Sequence, residues 1–376
     1  MKKNFFMLAA TAALFAACAE TELVNEVNTV AEPQAIGFET FANKATRAEN
    51  SGESYVENDM SNHHLEFYVW SSKEIAGTPN TFVDVYNPGT VTHNGTNWNA
   101  DPKKYWDKAA LNYYFYAAAP TGLAWTCNDL GGSSYITLNN YSLLGTNMAT
   151  ATSTSTRTWK TSTQDKDLMI AADCDIAKSH YYNVETPAAV NLDFIHILSR
   201  LNVAVMTTEN SVVLTKLDIV RLKNIGSFNE KAELGTGVVL ANGTHKRWDT
   251  ASSTTYTLTG ALGATGLPLT KDATAVYTHE YLIIPQLQMR KNDCKGLGTA
   301  PADDAYIEIN YTIAGELYKA FYGLAEVFGV DKNHNLAFNE GWQNNLTISI
   351  KPDAITFSCD AAAWDDHLGS GALPID

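Results

Sequence analysis

The chain has 376 residues, of which 45% are hydrophobic, and a formal net charge of −15. This length predicts two domains, each large enough to bury its own core. An acidic surface repels phosphate backbones and the sequence holds no cluster of Lys and Arg, so nucleic acid is excluded as an expected partner.

The beginning of the sequence has the parts of a bacterial lipoprotein signal. Two lysines precede the apolar run Phe5–Ala17, and Cys18 follows it. The run is too short to cross a bilayer, which needs about 20 apolar residues. We therefore expect a signal peptide over residues 1–17 and lipidation of Cys18 with acyl chains such as palmitate. The alternative is an ordinary signal peptide with a chance cysteine.

A lone strand pattern and a basic site follow the signal. In "AIGFETFANKATRAEN", residues 35–50, Ile36 and Phe38 alternate with less apolar residues, as in a half-buried strand. The polar run behind them holds Lys44 and Arg47. Exposed polar stretches of this kind are preferred sites of proteolytic cleavage, although an ordinary linker has the same composition.

Most of the remaining apolar pattern has a period of two. It is clearest in "SRLNVAVM" (199–206), "DAYIEINYTI" (304–313) and "NNLTISI" (344–350), and "LNYYFYAAAP" (111–120) is a longer aromatic run of the same type. Many short strands with few helical patterns predict an all-β fold of antiparallel β-sandwich domains.

Two spacers divide this pattern. Residues 147–167 are rich in Ser and Thr and predict a surface loop inside the first domain. Pro187 separates two patterned regions, so we expect an N-terminal β-sandwich over residues 48–188 and a C-terminal one over 189–376.

Motifs of catalysis or metal binding are not complete in this sequence. "HEYLI" at His279 lacks the second histidine of a zinc-protease helix, and "GALGATG" (260–266) has the wrong spacing for a phosphate loop. His196, in "FIHIL", has apolar neighbours and indicates a core histidine. We predict no enzyme, no metal and no cofactor. The other four cysteines are far apart and indicate free thiols, with their disulfide state left open: Cys127, Cys174, Cys294 and Cys359.

Eight tryptophans and eighteen tyrosines allow a carbohydrate-binding function, because aromatic faces stack on sugars. β-Sandwiches also use aromatic side chains to fill their cores. Trp106 precedes a strand and indicates a core residue, whereas Trp98 and Trp159 lie in polar sequence and are predicted to be exposed. A glycan-binding surface lipoprotein therefore stays an alternative.

Several separated segments together resemble the fimbrillin-like proteins of Bacteroidota, which are subunits of type V pili. Their order and spacing, over nearly the whole chain, make the resemblance specific. It implies two transthyretin-like β-sandwich domains in tandem and a structural role in a fibre used for adhesion. The segments are the signal ending at Cys18, "IGFETFANKATRA", "YWDKAALNYYFYAAAP", "KDLMIAAD", "LDFIHILSRLNVAV" and "WQNNLTISIKPDAITFSCDAAAWDD".

The resemblance also implies a mechanism. The precursor is exported by the lipoprotein machinery, held on the outer membrane by its lipid, cleaved after an arginine by a trypsin-like protease and polymerised with other pilin subunits by strand exchange. Arg47 is then the cleavage site, with Lys44 as the fallback. Residues 18–47 form a propeptide whose strand, through Ile36 and Phe38, fills a groove in the first domain.

The donor strand is expected at the end of the chain, within Ala354–Asp376. Ile355 and Phe357 fall on one face of "DAITFSC", and Leu373 lies in "GALPID" beyond it. In the competing interpretation, Ala354–Cys359 is the closing strand of the second domain. An uncleaved anchor subunit of the same pilus is a further alternative, and the sequence does not distinguish shaft, tip and anchor.

Overall fold

The structure is a computed structural model, and it describes only part of the chain. The described residues are 34–42, 64–144, 165–177, 188–231, 247–250, 256–259, 262, 264–272, 276–289, 295–297, 299–301, 304–329, 335–352 and 354–363.

These residues form strands almost throughout. The helical exceptions among them are one 3₁₀ turn, Gly131–Ser133, and one short α-helix, α1, Leu324–Val327. The first strands are β1 (Phe38–Ala42), β2 (Glu66–Ile75), β3 (Phe82–His93), β4 (Trp98–Asp101), β5 (Ala110–Ala119), β6 (Trp125–Asn128), β7 (Tyr135–Ser142), β8 (Met169–Ala177), β9 (Val190–His196), β10 (Ser199–Thr207), β11 (Val212–Leu222) and β12 (Ile225–Asn229). The others are β13 (Trp248–Thr250), β14 (Tyr256–Thr259), β15 (Leu267–Leu269), β16 (Val276–Ile283), β17 (Gln286–Met289), β18 (Lys295–Leu297), β19 (Tyr306–Ile313), β20 (Glu316–Gly323), β21 (Asn335–Phe338), β22 (Trp342–Ile350) and β23 (Ile355–Ala363).

The predicted all-β fold is confirmed. The four segments with the clearest period-two pattern form β5, β10, β19 and β22. Strand β9 shows the physical basis, since its residues alternate between buried and exposed along its whole length. Successive side chains of a strand point to opposite faces, so an alternating sequence can bury one face and leave the other in water.

The first seven-stranded unit is a closed barrel with the strand order β1-β4-β3-β2-β5-β8-β9. Its interior is a cluster of buried apolar and aromatic side chains, including Phe67, Tyr113 and Phe115. The domain boundary expected at position 188 stays a prediction. Strand β9, which follows that position, completes the barrel.

A second core lies between two further sheets. One has the order β16-β10-β22-β23 and the other β14-β11-β19-β20-β18, with β15 also paired to β11. Leu201 and Leu346 from the first sheet and Leu217 and Ile309 from the second are buried in the same cluster. Two face-to-face sheets with a shared apolar core are the arrangement expected of a β-sandwich.

Strand pairing is antiparallel with two exceptions among the named strands. β1 pairs parallel with β9, and β10 pairs parallel with β22. The sequence predicts antiparallel sheets, and the alternation of apolar residues does not reveal these two pairs because it has the same period in parallel and antiparallel sheets. Parallel partners need long connections, which these strands have.

A third apolar cluster joins the barrel to a small sheet. That sheet has the order β13-β12-β7-β6. Trp70 and Tyr116 from the outer face of the barrel share the cluster with Trp248 and Phe228 from the small sheet. The indole N–H of Trp248 donates to the carbonyl of Ile197 at 2.7 Å, which fixes the chain just after β9.

Candidate functional site at the first strand

Strand β1 closes the barrel because it pairs on both of its edges. Five residue pairs join it in parallel to β9, from Phe38 opposite Val190 to Ala42 opposite Phe194. On the other edge, Phe38 is the antiparallel partner of Trp98 in β4. Removing β1 would therefore leave two strand edges of the barrel without a partner.

The chain just before β1 extends the pairing on the second edge. The N–H of Ile36 donates to the carbonyl of Lys104, and the N–H of Trp106 donates to the carbonyl of Gln34, each at 2.9 Å. The N–H of Val190 donates to the carbonyl of Gly37 at 2.9 Å on the first edge. The segment is thus held across a slot by backbone bonds on both sides.

The side chains of this segment point into the barrel in alternation. Ile36, Phe38 and Thr40 are 4%, 5% and 5% exposed, whereas Glu39 between them is exposed. Each large apolar side chain buried in this way contributes about 1.5–3 kcal/mol relative to an exposed one. Ile36 and Phe38 are therefore the side chains that hold the segment in the slot.

Phe38 lies in an aromatic socket. The centre of its ring is 6.4 Å from that of Phe67 and 6.0 Å from those of Tyr86 and Phe115. Two of these contacts are edge-to-face, the geometry that aromatic rings prefer. Opposite β1, Phe194 of β9 packs against Phe67 at 5.1 Å. We call this lining, together with the two edges that pair with β1, the β1 groove.

The tyrosines buried in the barrel interior stay uncharged over the physiological pH range. Burial raises the pKa of Tyr86 to about 12, and it also raises that of Tyr113 in the same cluster to about 12. Both phenols are therefore neutral below pH 10.

His196 anchors the end of β9, as a buried residue of the kind predicted. Its Nδ1 lies 2.5 Å from Oδ2 of Asp167, and both side chains are buried. The predicted surface loop ended at Asp167, and this prediction is wrong for its last residues, because Asp165 and Asp167 are 3% and 6% exposed. Asp165 accepts a hydrogen bond from the N–H of Leu144 at 2.5 Å. The polar sequence contained no signal that these two aspartates are buried.

The prediction that Trp98 is exposed is wrong. Trp98 is 8% exposed and its ring lies 5.0 Å from that of Phe67 inside the barrel. The cause is the turn before it: the side chain of Asn94 accepts the N–H groups of Thr96 and Asn97, so the chain reverses and Trp98 pairs with His93. Trp106 is buried as predicted. Trp159 lies outside the described residues.

The end of the described chain is a different kind of strand. β23 pairs antiparallel with β22 over nine residue pairs and is the last strand of its sheet. Among the described residues, no strand pairs with its other edge. Ile355, Phe357 and Cys359 face the second core but are only partly buried.

Several predicted site residues lie outside the described part of the chain. They are Cys18, Lys44, Arg47 and Leu373. Arg47 follows the last residue of β1, Ala42, after four residues. Among the four other cysteines, Cys127 and Cys359 are free thiols. The side chains of Cys174 and Cys294 are not among those described.

The model of the fimbrillin-like family matches residues 46–364, which is most of the chain. The chain belongs to this family. The match begins after β1, so the family assignment does not depend on that strand. A search of curated proteins found no match.

Solved structures of fimbrial proteins are also similar. A fimbrial protein from Bacteroides vulgatus is 16% identical with a TM-score of 0.47, and the match covers 88% of this chain and 100% of that one. The tip fimbrial protein Mfa3 from Porphyromonas gingivalis, with a C-terminal truncation, is 9% identical with a TM-score of 0.38, covering 80% of this chain and 95% of that one.

No helix in the described residues is both long and apolar enough to span a membrane. Within the same residues, no group of three or more His, Cys, Asp and Glu side chains is placed to hold a metal ion.

Proposed function

We propose that the chain is a structural, non-catalytic subunit of a cell-surface pilus. Membership of the fimbrillin-like family supports this role. The subunit associates with other pilin subunits and serves adhesion. The glycan-binding alternative receives no support from Trp98, one of its two candidate stacking residues, because that side chain is buried in the barrel.

The precursor is exported as a lipoprotein and held on the outer membrane through Cys18. The lysines and the short apolar run before this cysteine support that step. Several acyl chains on one cysteine give a stable anchor, whereas a single chain binds a membrane only marginally. The anchor lies in the propeptide, so cleavage beyond β1 separates the subunit from it.

Assembly proceeds by strand exchange at the β1 groove. The single observation that carries this proposal is that β1 pairs on both edges and buries Ile36 and Phe38 in the barrel. A tethered strand has an effective concentration of roughly millimolar, which cleavage after Arg47 abolishes. The vacated slot then exposes unpaired strand edges and an aromatic lining, which favour the addition of a strand from another subunit.

The test is to determine the N-terminal residue of the cell-surface form and to block cleavage. We expect Ala48 at the N-terminus of assembled subunits. The double variant Arg47→Ala, Lys44→Ala should remain a monomer, because β1 stays tethered in its slot. Lys44→Ala alone is the matched control and should assemble normally, since Arg47 remains. Fibres from the double variant, or fibres whose subunits keep a blocked Cys18, would contradict the proposal.

A further inference from the structure

A small sheet joins the barrel to the second β-sandwich. Its strands β6 and β7 follow β5 of the barrel in the chain, whereas β12 and β13 follow β11 of the sandwich. β7 and β12 pair antiparallel over residues that include Leu138 opposite Phe228. Beyond the end of this ladder, the N–H of Leu143 donates to the carbonyl of Asn224 at 2.8 Å. The two parts of the molecule therefore cannot separate unless a ladder of backbone hydrogen bonds breaks.

The covalent connection between the barrel and the sandwich is short and buried. Strand β9 of the barrel ends at His196 and β10 of the sandwich begins at Ser199, so Ile197 and Leu198 alone lie between them. We call these two residues the link. Both side chains are 0% exposed and belong to the third apolar cluster. The link therefore cannot bend without exposing apolar surface to water.

Hydrogen bonds from three elements hold the backbone of the link. The N–H of Ile197 donates to the carbonyl of Leu168 at 3.0 Å, and the indole N–H of Trp248 donates to the carbonyl of Ile197 at 2.7 Å. The N–H of Gly341 donates to the carbonyl of Leu198 at 2.9 Å. These partners come from the segment before β8, from β13 and from the turn before β22. The link is thus bonded to the barrel, to the small sheet and to the sandwich.

The turn before β22 approaches the link closely. Gly341 has a φ of 63°, and a Cβ atom built on it would lie 3.3 Å from the carbonyl oxygen of His196. Glycine adopts this conformation without strain and leaves room for the approach. The Nε and Nη2 atoms of Arg247, which precedes β13, donate to Oε2 of Glu340 in the same turn at 2.8 and 2.5 Å. The turn and the strand that contact the link are therefore also bonded to each other.

The link, Trp248, Gly341 and the ion pair of Arg247 with Glu340 form what we call the joint. We propose that the joint locks the barrel and the sandwich into one rigid body, and that the bond from Trp248 keeps the link from bending. Its role in a fibre rests on the proposed function. A strand in the β1 groove pulls on β9, β9 continues through the link into β10, and β10 passes the pull to β22 through eight residue pairs. A locked joint fixes the orientation of β9 relative to β10, so each subunit is a stiff segment of the pilus.

Distances between spin labels test the joint in the monomer. The full, cleavage-blocked chain, with its five cysteines replaced by serine, carries one label at Thr92→Cys on the barrel and one at Ser358→Cys on the sandwich. Both positions are exposed. With the joint intact, double electron–electron resonance should give a single narrow distance distribution. Trp248→Phe keeps an aromatic ring but removes the bond to the link, and it should broaden the distribution at least about twofold.

Trp125→Phe is the matched control. Trp125 belongs to the same apolar cluster, is buried, and donates from its indole N–H to the carbonyl of Pro120 at 2.9 Å. Both of these residues lie on the barrel side of the joint, so this variant loses the same kind of hydrogen bond and should keep the distribution narrow. Distributions of equal width for Trp248→Phe and Trp125→Phe, or a broad distribution with the joint intact, would overturn the proposal.

Amide hydrogen exchange covers the case in which Trp248→Phe does not fold. In the cleavage-blocked chain with the joint intact, the amides of Ile197 and Gly341 should exchange as slowly as that of Val203 in the middle of β10, because the joint opens only when the whole chain unfolds. Exchange at least about tenfold faster at both amides would show local opening and would contradict a rigid joint. Neither measurement needs a fibre. A cleaved wild-type chain that stays monomeric would therefore overturn the proposed function and leave the joint in place.

Discussion

Strands β1 and β23 belong to segments that present an Ile and a Phe, two residues apart, to a core, but the two strands have different surroundings. β1 closes a barrel, with partners on two edges and an aromatic socket around Phe38. β23 is the edge of an open sheet, with one partner and half-buried side chains. The comparison shows that the same inward side chains are buried where a strand pairs on both edges and only partly buried where it lies at the edge of a sheet.

The largest expected effect comes from emptying the aromatic socket. Phe38→Ala should lower the free energy of unfolding of the uncleaved chain by about 3–5 kcal/mol, because a ring that is 5% exposed leaves a cavity. Urea denaturation of the cleavage-blocked protein measures it. Glu39→Ala, on the same strand but exposed, is the control and should change stability by about 0.5 kcal/mol or less. A loss below about 1 kcal/mol for Phe38→Ala would mean that β1 does not hold the barrel closed.

A smaller effect is expected at the equivalent position of β23. Phe357→Ala should cost the uncleaved chain about 1–3 kcal/mol, since the ring is only partly buried, although it contacts Tyr322 at 4.7 Å. The same denaturation measurement applies, with the exposed Ser358→Ala as control. A loss as large as that of Phe38→Ala would remove the difference between the two strands.

Alkaline pH should lower the free energy of unfolding by a still smaller amount. Unfolded tyrosines ionise near pH 10, whereas burial keeps Tyr86 and Tyr113 protonated up to about 12. The folded state then binds more protons than the unfolded state, so stability is complete below pH 10 and falls as the pH rises from 10 to 12. At pH 11 the ionisation of each of these tyrosines in the unfolded state should lower the free energy of unfolding by about 1 kcal/mol.

Tyr86→Phe isolates one of these contributions. Between pH 9 and pH 11, the free energy of unfolding of the variant should fall by about 1 kcal/mol less than that of the wild type. Urea denaturation at each pH measures the difference. Tyr105→Phe is the control, because Tyr105 is 46% exposed. Identical pH profiles for Tyr86→Phe and wild type would show that the Tyr86 phenol is not protected in the folded barrel.

The sequence by itself determined the most clearly patterned strands, the faces that these strands bury and the family. Alternation marked Ile36 and Phe38 as one face and "SRLNVAVM" and "NNLTISI" as strands, and the apolar neighbours of His196 marked it as a buried side chain. These are local properties, since a period of two or an apolar neighbourhood is already present within a few residues. The segments that resemble the family are also short and local, so they could be recognised without the structure.

Only the tertiary structure decided which strands meet. The parallel pairing of β1 with β9 joins segments about 150 residues apart, and nothing local in either strand specifies that partner. The burial of Trp98 depended on the turn at Asn94 and on a barrel that closes over it, and the partner of His196 came from a stretch that looked like a solvated loop. Pairing between distant segments sets the register of the strands, the closure of the barrel and the partners of buried polar groups. These features depend on all the strands at once, so no single segment of the sequence specifies them.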